Sequence, residues 1–140
     1  MTENCTIYST LSDLEIVYRI LEQYSMTFSK HTEDNLQSVF VGDVNAHMRI
    51  TAMAFVERGD NFCRLLLSTC AFVNRLGTSK AIKKLSTLIS SCELALGVVA
   101  EPSFESDKRF ELIVFAIAKA LNGVVFNGSD MLDSDGNAIV

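Results

Sequence analysis

Apolar residues recur along this chain with the periods of both helices and strands. The helical period predicts four helices: residues 12–24, residues 62–76, a helix that begins after Thr78 or Ser79, and an almost wholly apolar helix between Ser106 and Asn122. The first of these places Leu14, Val17 and Leu21 on one face. Its start fits a capping box, in which the Ser12 hydroxyl takes a free backbone amide and Glu15 reaches back to the cap. We expect Ser106 to cap the last helix.

Runs that alternate between apolar and polar residues, or that are rich in β-branched residues, predict the strands. They occupy residues 5–8, 26–31, 36–41 and 48–56, then a stretch from about Leu96, residues 124–126, and a terminal hairpin of 131–132 with 138–139. Residues 33–35 and the pair Asp135-Gly136 have the composition of hairpin turns. The resulting order of elements is β-α-β-β-β-α-α-β-α-β-β.

The segment from residue 93 to residue 140 says most about the fold. Its apolar helix lies between two valine-bearing runs, which is typical of a crossover unit on a buried sheet. We therefore expect an α+β or α/β fold in which about four helices pack a mixed β-sheet. A chain of 140 residues corresponds to one globular domain, residues 1–140, and no linker or low-complexity segment divides it.

The charge balance argues against a nucleic-acid partner. The chain has 17 acidic and 12 basic residues, a net charge of −5, so a phosphate polyanion would be repelled overall. The one basic cluster, Arg75 with three lysines at 80, 83 and 84, has no aromatic residues between its members. The N-terminus has no signal-peptide pattern, and the most apolar window, residues 112–126, is shorter than the ~20 residues of a membrane span. We expect a cytoplasmic protein without membrane contact.

Cysteine and histidine are too dispersed to predict a metal site or a nucleophile. The cysteines are widely spaced among apolar neighbours, which favours buried reduced thiols: Cys5, Cys63, Cys70 and Cys92. His31 and His47 both fall in the strand-rich middle, where they either meet in space or lie separately at the surface. No ligand spacing supports a metal, and we expect no metal and no cofactor.

Two places in the sequence have features of a small-ligand site. Gly77, Thr78, Ser79 and Lys80 stand at a predicted helix start, where free amides, the helix dipole and a lysine favour an anion, although an ordinary helix cap explains the same residues. Glu101 ends a predicted buried strand, and strand ends often bind ligands in open α/β sheets, although a solvated loop glutamate fits equally there.

The C-terminal third resembles a group of uncharacterised bacterial domains. The similarity lies in the run GVVAEPSFE, a helix, and the run LNGVVFNGSDMLDSDGNAIV, in which a strand leads into a D-x-D-G turn and a last short strand. The resemblance implies a bacterial domain of unknown function, and it transfers no activity and no site residues.

Three functions fit these observations. The first is a non-catalytic interaction module, an adaptor or an immunity-type protein that occupies a partner's surface, and it follows from the acidic composition and the lack of catalytic motifs. The second is a small-molecule or anion-binding domain that uses residues 77–80 or Glu101. The third is an enzyme with dispersed catalytic residues. We favour the first, with a protein partner or a second copy of the chain as the occupant of its surface.

Overall fold

A seven-stranded antiparallel sheet forms the centre of the molecule. The computed structural model describes residues 3–33, 36–54, 64, 68–73, 75 and 80–139. The strands are β1 (Glu3–Ser9), β2 (Phe28–Glu33), β3 (Leu36–Gly42), β4 (His47–Ala54), β5 (Leu94–Glu101), β6 (Gly123–Phe126) and β7 (Met131–Leu132). They lie in the order β2-β3-β4-β5-β1-β6-β7, so that β2 and β7 are the outer strands. The predicted strands are confirmed, but β2 begins at Phe28, two residues later than predicted, and includes Glu33, for which a turn was predicted. Phe55, Val56 and the turn residues 34–35 lie outside the described residues.

Three helices are described in full: α1 (Leu14–Gln23), α2 (Lys80–Ser90) and α3 (Lys108–Ala120). A short 3-10 helix (Phe104–Ser106) precedes α3, and residues 68–73 are helical within the predicted helix over 62–76, whose remaining residues are only partly described. The predicted order of strands and helices is confirmed.

The caps predicted for α1 and α3 are both wrong by one residue. Asp13, not Ser12, caps α1 and accepts from the backbone N–H of Glu15. Asp107, not Ser106, caps α3, because the Ser106 hydroxyl instead donates to the Ser103 carbonyl in the 3-10 turn at 2.6 Å. An aspartate binds the orphan amides as well as a serine does, and here it lies next to the first helical residue.

Arg109 holds the α3 cap in place. The Asp107 carboxylate accepts from the Arg109 backbone N–H at 2.9 Å and from the Arg109 guanidinium at 2.9 Å. The guanidinium hydrogen bond lowers the pKa of Asp107, so the cap stays ionised below the ordinary carboxyl range.

Both predicted crossovers exist, but the sheet is not mixed. Since β1 pairs antiparallel with both β5 and β6, the last two run in the same direction with β1 between them, and α3 connects them. The α1 crossover likewise joins β1 to β2, which run in the same direction with three strands between them. The sheet is antiparallel because each crossover passes over other strands, so parallel strands never become neighbours. Of the two expected classes, the fold is α+β.

The larger core lies on one face of the sheet, which we call the front face. Strand alternation points Ile7, Ile50 and Val98 towards α1 and α3, and these residues are at most 2% exposed. The helices contribute their own buried faces, among them Val17 of α1 and Ile113 of α3. The predicted apolar helix is therefore confirmed as part of the core.

A second core covers only part of the opposite face, the back face. There, Ile82, Leu85 and Ile89 of α2 pack with Tyr8 of β1 and Ala95 of β5. A hydrogen bond of 2.7 Å joins the Tyr8 hydroxyl to Thr69 Oγ1, so the helical residues 68–73 belong to the same layer. These contacts lie over β5, β1 and β6, and no described residue forms a comparable layer over β2 and β3.

The predicted C-terminal turn is confirmed. Gly136 adopts a positive φ of 86°, and the Asp133 carboxylate accepts from the backbone N–H groups of Asp135 and Asn137. Ala138 then bridges to Leu132 on the outer side of β7. The hairpin therefore covers one outer edge of the sheet, whereas no described strand covers the edge of β2.

Candidate functional site

The back face over β2, β3 and β4 exposes an aromatic side chain between two histidines. Period-two alternation places His31 of β2, Phe40 of β3 and His47 of β4 on this face. Phe40 is 42% exposed, and Val44, at the tip of the β3–β4 hairpin, is 95% exposed. We call His31, Phe40, Val44 and His47 the His-Phe patch.

The three rings of the patch form a row. The centroid of Phe40 lies 5.8 Å from that of His31, in an edge-on arrangement, and 5.8 Å from that of His47, in a tilted one. An open cleft of about 600 Å³ runs beside the row and is also lined by Phe28 and Val44. The row therefore offers a partly apolar surface with ring nitrogens at both ends.

Hydrogen bonds fix the hairpin that presents this patch. The Asp43 carboxylate accepts from the backbone N–H groups of Asn45 and Ala46, at 2.9 and 3.1 Å. Gly42 adopts φ of 103°, and a Cβ at that position would lie 2.4 Å from the Ala46 carbonyl oxygen. Only glycine fits this turn without strain, and the turn sets the direction in which Val44 projects.

Glu101 and His47, one of the two candidate histidines, meet in space. They face each other in the register of β4 and β5, and Glu101 Oε2 lies 3.2 Å from His47 Nε2. The other ring nitrogen, Nδ1, lies 3.2 Å from the Asp43 carbonyl oxygen. Both ring nitrogens of His47 therefore have an oxygen atom within hydrogen-bonding distance. Its contacts orient the ring as part of a surface rather than as a base with a free nitrogen.

The second histidine lies two strands away and has a different partner. His31 Nε2 lies 3.0 Å from the Ser29 hydroxyl, two residues earlier on the same face of β2. Nucleophilic catalysis by such a pair requires a third group that orients the imidazole. No carboxylate contacts His31 among the side chains that the structure describes, which do not include that of Glu33. The two histidines thus flank Phe40 and do not form a pair, and no group of three potential metal ligands occurs among the described residues.

The structure describes two of the predicted ligand-site residues, Glu101 and Lys80. Glu101 ends β5 as predicted and is exposed, and its carboxylate contacts His47 instead of being free in a loop. Lys80 is the first residue of α2 and is exposed. Thr78 and Ser79 lie outside the described residues, so the anion site at this helix start stays a prediction. Lys80 and Glu101 belong to different places, because α2 packs near the first residues of β5 and Glu101 is its last.

The three thiols that the structure describes lie in environments that do not activate them. Cys5 and Cys92 are buried, and burial raises the pKa of each to about 12. Burial also raises the pKa of the half-buried Cys70. All three are free thiols, and thiolate is the nucleophilic form, so their environments disfavour nucleophilic chemistry. The predicted buried state is confirmed for Cys5 and Cys92 and is wrong for Cys70, which is only half-buried; Cys63 lies outside the described residues.

Phe40 and Val44 were not among the predicted site residues. A signal for Phe40 exists in the alternation of β3, since its neighbours on the same face are Ser38 and Gly42, while Val39 and Val41 form the buried face. A phenylalanine on the polar face of a strand is the unusual feature. Val44 has no comparable signal, because single apolar residues are common in turns.

Comparison with known proteins adds no relative. The chain matches no protein-family model, and no similar protein was found among curated proteins or solved structures. The resemblance of the C-terminal third to uncharacterised bacterial domains therefore stays a prediction. None of the described helices has the length and the apolar character to cross a membrane.

Proposed function

We propose that this chain is a non-catalytic protein-interaction module, a cytoplasmic bacterial adaptor or immunity-type protein that binds a partner through the His-Phe patch. The observation that carries the proposal is the exposure of Phe40 and Val44 on a sheet face that lacks a covering layer among the described residues. An exposed aromatic side chain next to an exposed aliphatic one is typical of a protein contact surface.

The polar groups around the patch fit a protein contact better than a reaction. His47 is held between Glu101 and the Asp43 carbonyl, and His31 bonds to Ser29. Such pre-oriented donors and acceptors form the polar rim of an interface around its apolar centre. Since the hairpin that carries Val44 is fixed by internal hydrogen bonds, binding requires little ordering of this segment.

Affinity capture from cells of the source organism tests the proposal. The bait is the wild-type chain, compared with a Phe40→Ser, Val44→Ser double variant and with Leu112→Ser. Leu112 is 56% exposed on α3, away from the patch, so its variant controls for the general loss of surface hydrophobicity. We expect one protein to be retained by the wild type and by Leu112→Ser and to be lost from the double variant. Capture of nothing but the chain itself, under several conditions, would contradict the proposal.

A small-molecule-binding function is the second candidate, and the cleft beside the patch favours it. The cleft has a volume of about 600 Å³, within the range of ligand pockets, and its wall includes His47, which Glu101 orients. Native mass spectrometry of protein purified without added ligand distinguishes the two functions. A retained adduct would support the ligand site, and its loss in a Glu101→Ala variant would place it at this cleft. An adduct-free chain would favour the interaction module.

A further inference from the structure

The outer edge of β2 presents backbone groups that no described strand pairs. The Gly42 N–H donates to the Thr27 carbonyl at 2.9 Å, which fixes the hydrogen-bonding phase between β2 and β3. In an antiparallel ladder, alternate residues point their N–H and C=O groups to the same side. Ser29 and His31 therefore bond to β3, and Phe28, Lys30 and Thr32 direct their N–H and C=O groups outwards. Along this edge, the backbone groups of three residues have no partner strand in the part of the chain that the structure describes.

The side chains along this edge would meet an added strand on both faces. On the front face, the Phe28 ring stacks on Tyr18 at 6.1 Å between centroids, and the Lys30 ammonium lies 3.9 Å from the centre of the same Tyr18 ring. On the back face, His31 belongs to the His-Phe patch, and its ring contacts that of Phe40. A strand added to β2 would thus extend the surface already assigned to the partner.

The lysine argues against a second copy of the chain as the occupant. In an antiparallel pairing that matches all three outward residues of one β2 with those of another, Lys30 lies at the centre of residues 28–32 and faces Lys30 of the other copy. Like charges directly opposite each other destabilise a strand pair, and an edge lysine is a common device against self-association. A carboxylate opposite Lys30 is favourable instead, which selects a different chain.

We infer that β2 accepts an extended segment of a protein partner as an additional antiparallel strand, with an acidic residue of that segment opposite Lys30. The inference rests on the proposed function and specifies the chemistry of the partner. Recognition uses the backbone groups of Phe28, Lys30 and Thr32 for affinity and the alternating side chains for selection, as in strand addition to other exposed sheet edges. The opposite edge offers no such site, because Ala138 already bridges to Leu132 of β7.

Amide hydrogen exchange with a synthetic strand provides the test. The probe is a nine-residue peptide, blocked at both ends, of alternating threonine and valine with a central glutamate; its counterpart has a central lysine. At about 1 mM glutamate peptide, we expect exchange of the Phe28, Lys30 and Thr32 amides to slow by about tenfold or more. The Ser29 and His31 amides, already bonded to β3, serve as internal controls whose exchange changes little. The lysine peptide should bind about two- to fivefold more weakly.

Two variants at one position separate backbone pairing from charge. Lys30→Pro removes an N–H that points away from β3, so the fold should persist while peptide binding is lost. Lys30→Ala keeps that N–H and removes the charge, so it should bind both peptides equally. Binding that leaves the three outward amides unprotected, or no binding by the wild type at about 1 mM, would overturn the inference. Should Lys30→Pro fail to fold, the exchange pattern of the wild type alone decides.

The outcomes distinguish this inference from the proposed function. A partner that is captured through the His-Phe patch but leaves the exchange of the Phe28, Lys30 and Thr32 amides unchanged would overturn strand addition and support the interaction module. Absence of any captured partner would contradict the module itself, whatever the peptide does.

Discussion

The orientation of α3 about its own axis, which decides the residues that face the sheet, leads to the sharpest prediction for the fold. Ile113 is fully buried against the sheet, and its neighbour Leu112 is 56% exposed. The same substitution at these two adjacent positions should therefore have opposite outcomes. Ile113→Asp would place an unpaired carboxylate in the front-face core, while Leu112→Asp would place one in water. We expect Ile113→Asp to yield no soluble folded protein and Leu112→Asp to fold normally.

The magnitudes follow from the burial of Ile113. Replacing a buried isoleucine by alanine costs about 2–5 kcal/mol, and replacing it by valine about 0.5–1.5 kcal/mol. An uncompensated buried charge adds several kcal/mol, which brings the total for aspartate to the order of the ~5–15 kcal/mol that stabilises a whole domain. For a chain of this length, 1 kcal/mol corresponds to roughly 3–4 °C in Tm. Ile113→Ala should thus lower Tm by about 6–20 °C.

Thermal and urea unfolding followed by circular dichroism measure this series. The order of stability should be wild type, Ile113→Val, Ile113→Ala, with Leu112→Asp within about 0.5 kcal/mol of the wild type. Cooperative melting of Ile113→Asp near the wild-type temperature would refute the burial of this position. Equal losses in Ile113→Asp and Leu112→Asp would refute the orientation of α3 but not its existence.

Three further predictions concern the α3 cap, the thiols and the β3–β4 turn. Asp107→Ala should lower the free energy of unfolding by about 1 kcal/mol at pH 7. Because the pKa of Asp107 is lowered in the folded state, the stabilisation by this carboxylate is present above the ordinary pKa of 3.8 and is lost as pH falls through the folded pKa. The free energies of unfolding of wild type and variant, measured in urea, should therefore converge in acid. Cys5 and Cys92 should resist alkylation at pH 8 until the chain is unfolded, since burial holds their pKa at about 12, and peptide mapping by mass spectrometry would expose early labelling. In urea unfolding, Gly42→Ala should destabilise the protein more than Gly128→Ala, by about 1 kcal/mol or more. Both glycines have φ near 100°, but only at position 42 would a Cβ press against a backbone oxygen. Equal losses in the two variants would show that the turn at Gly42 relaxes freely.

Much of the secondary structure was predictable because local periodicity encodes it. Helix α3 and strand β4 follow from the spacing of their apolar residues alone, without any knowledge of their neighbours. Helix caps were predictable only to within one residue. Ser12 and Asp13 are both good capping residues, and which one caps is decided by the residue at which the helical backbone begins.

The candidate site was not predictable, because it depends on strand order. The contact between His47 and Glu101 joins residues that are far apart in sequence and meet only because β4 pairs with β5 in one register. A shift of that register by one residue would move His47 to the front face. The row of rings around Phe40 likewise requires β3 to lie between β2 and β4, which a hairpin prediction makes reasonable but does not establish.

The segment that best defines the fold and the segment that forms the proposed interface are different parts of the chain. Residues 94–132 supply α3, β5, β6 and β7, whose apolar side chains form about half of the front core and contribute to the back core beside α2 and Tyr8. The β2–β3–β4 meander is buried by described residues on the front face only, and no described strand pairs with the outer edge of β2. An antiparallel meander tolerates one solvated face, so polar and aromatic residues can accumulate there without loss of the core. Substitutions at His31, Phe40 and Lys30 can therefore change binding while the rest of the sheet maintains the fold. For the same reason, the fold should tolerate substitution of these interface residues and should not tolerate substitution of Ile113.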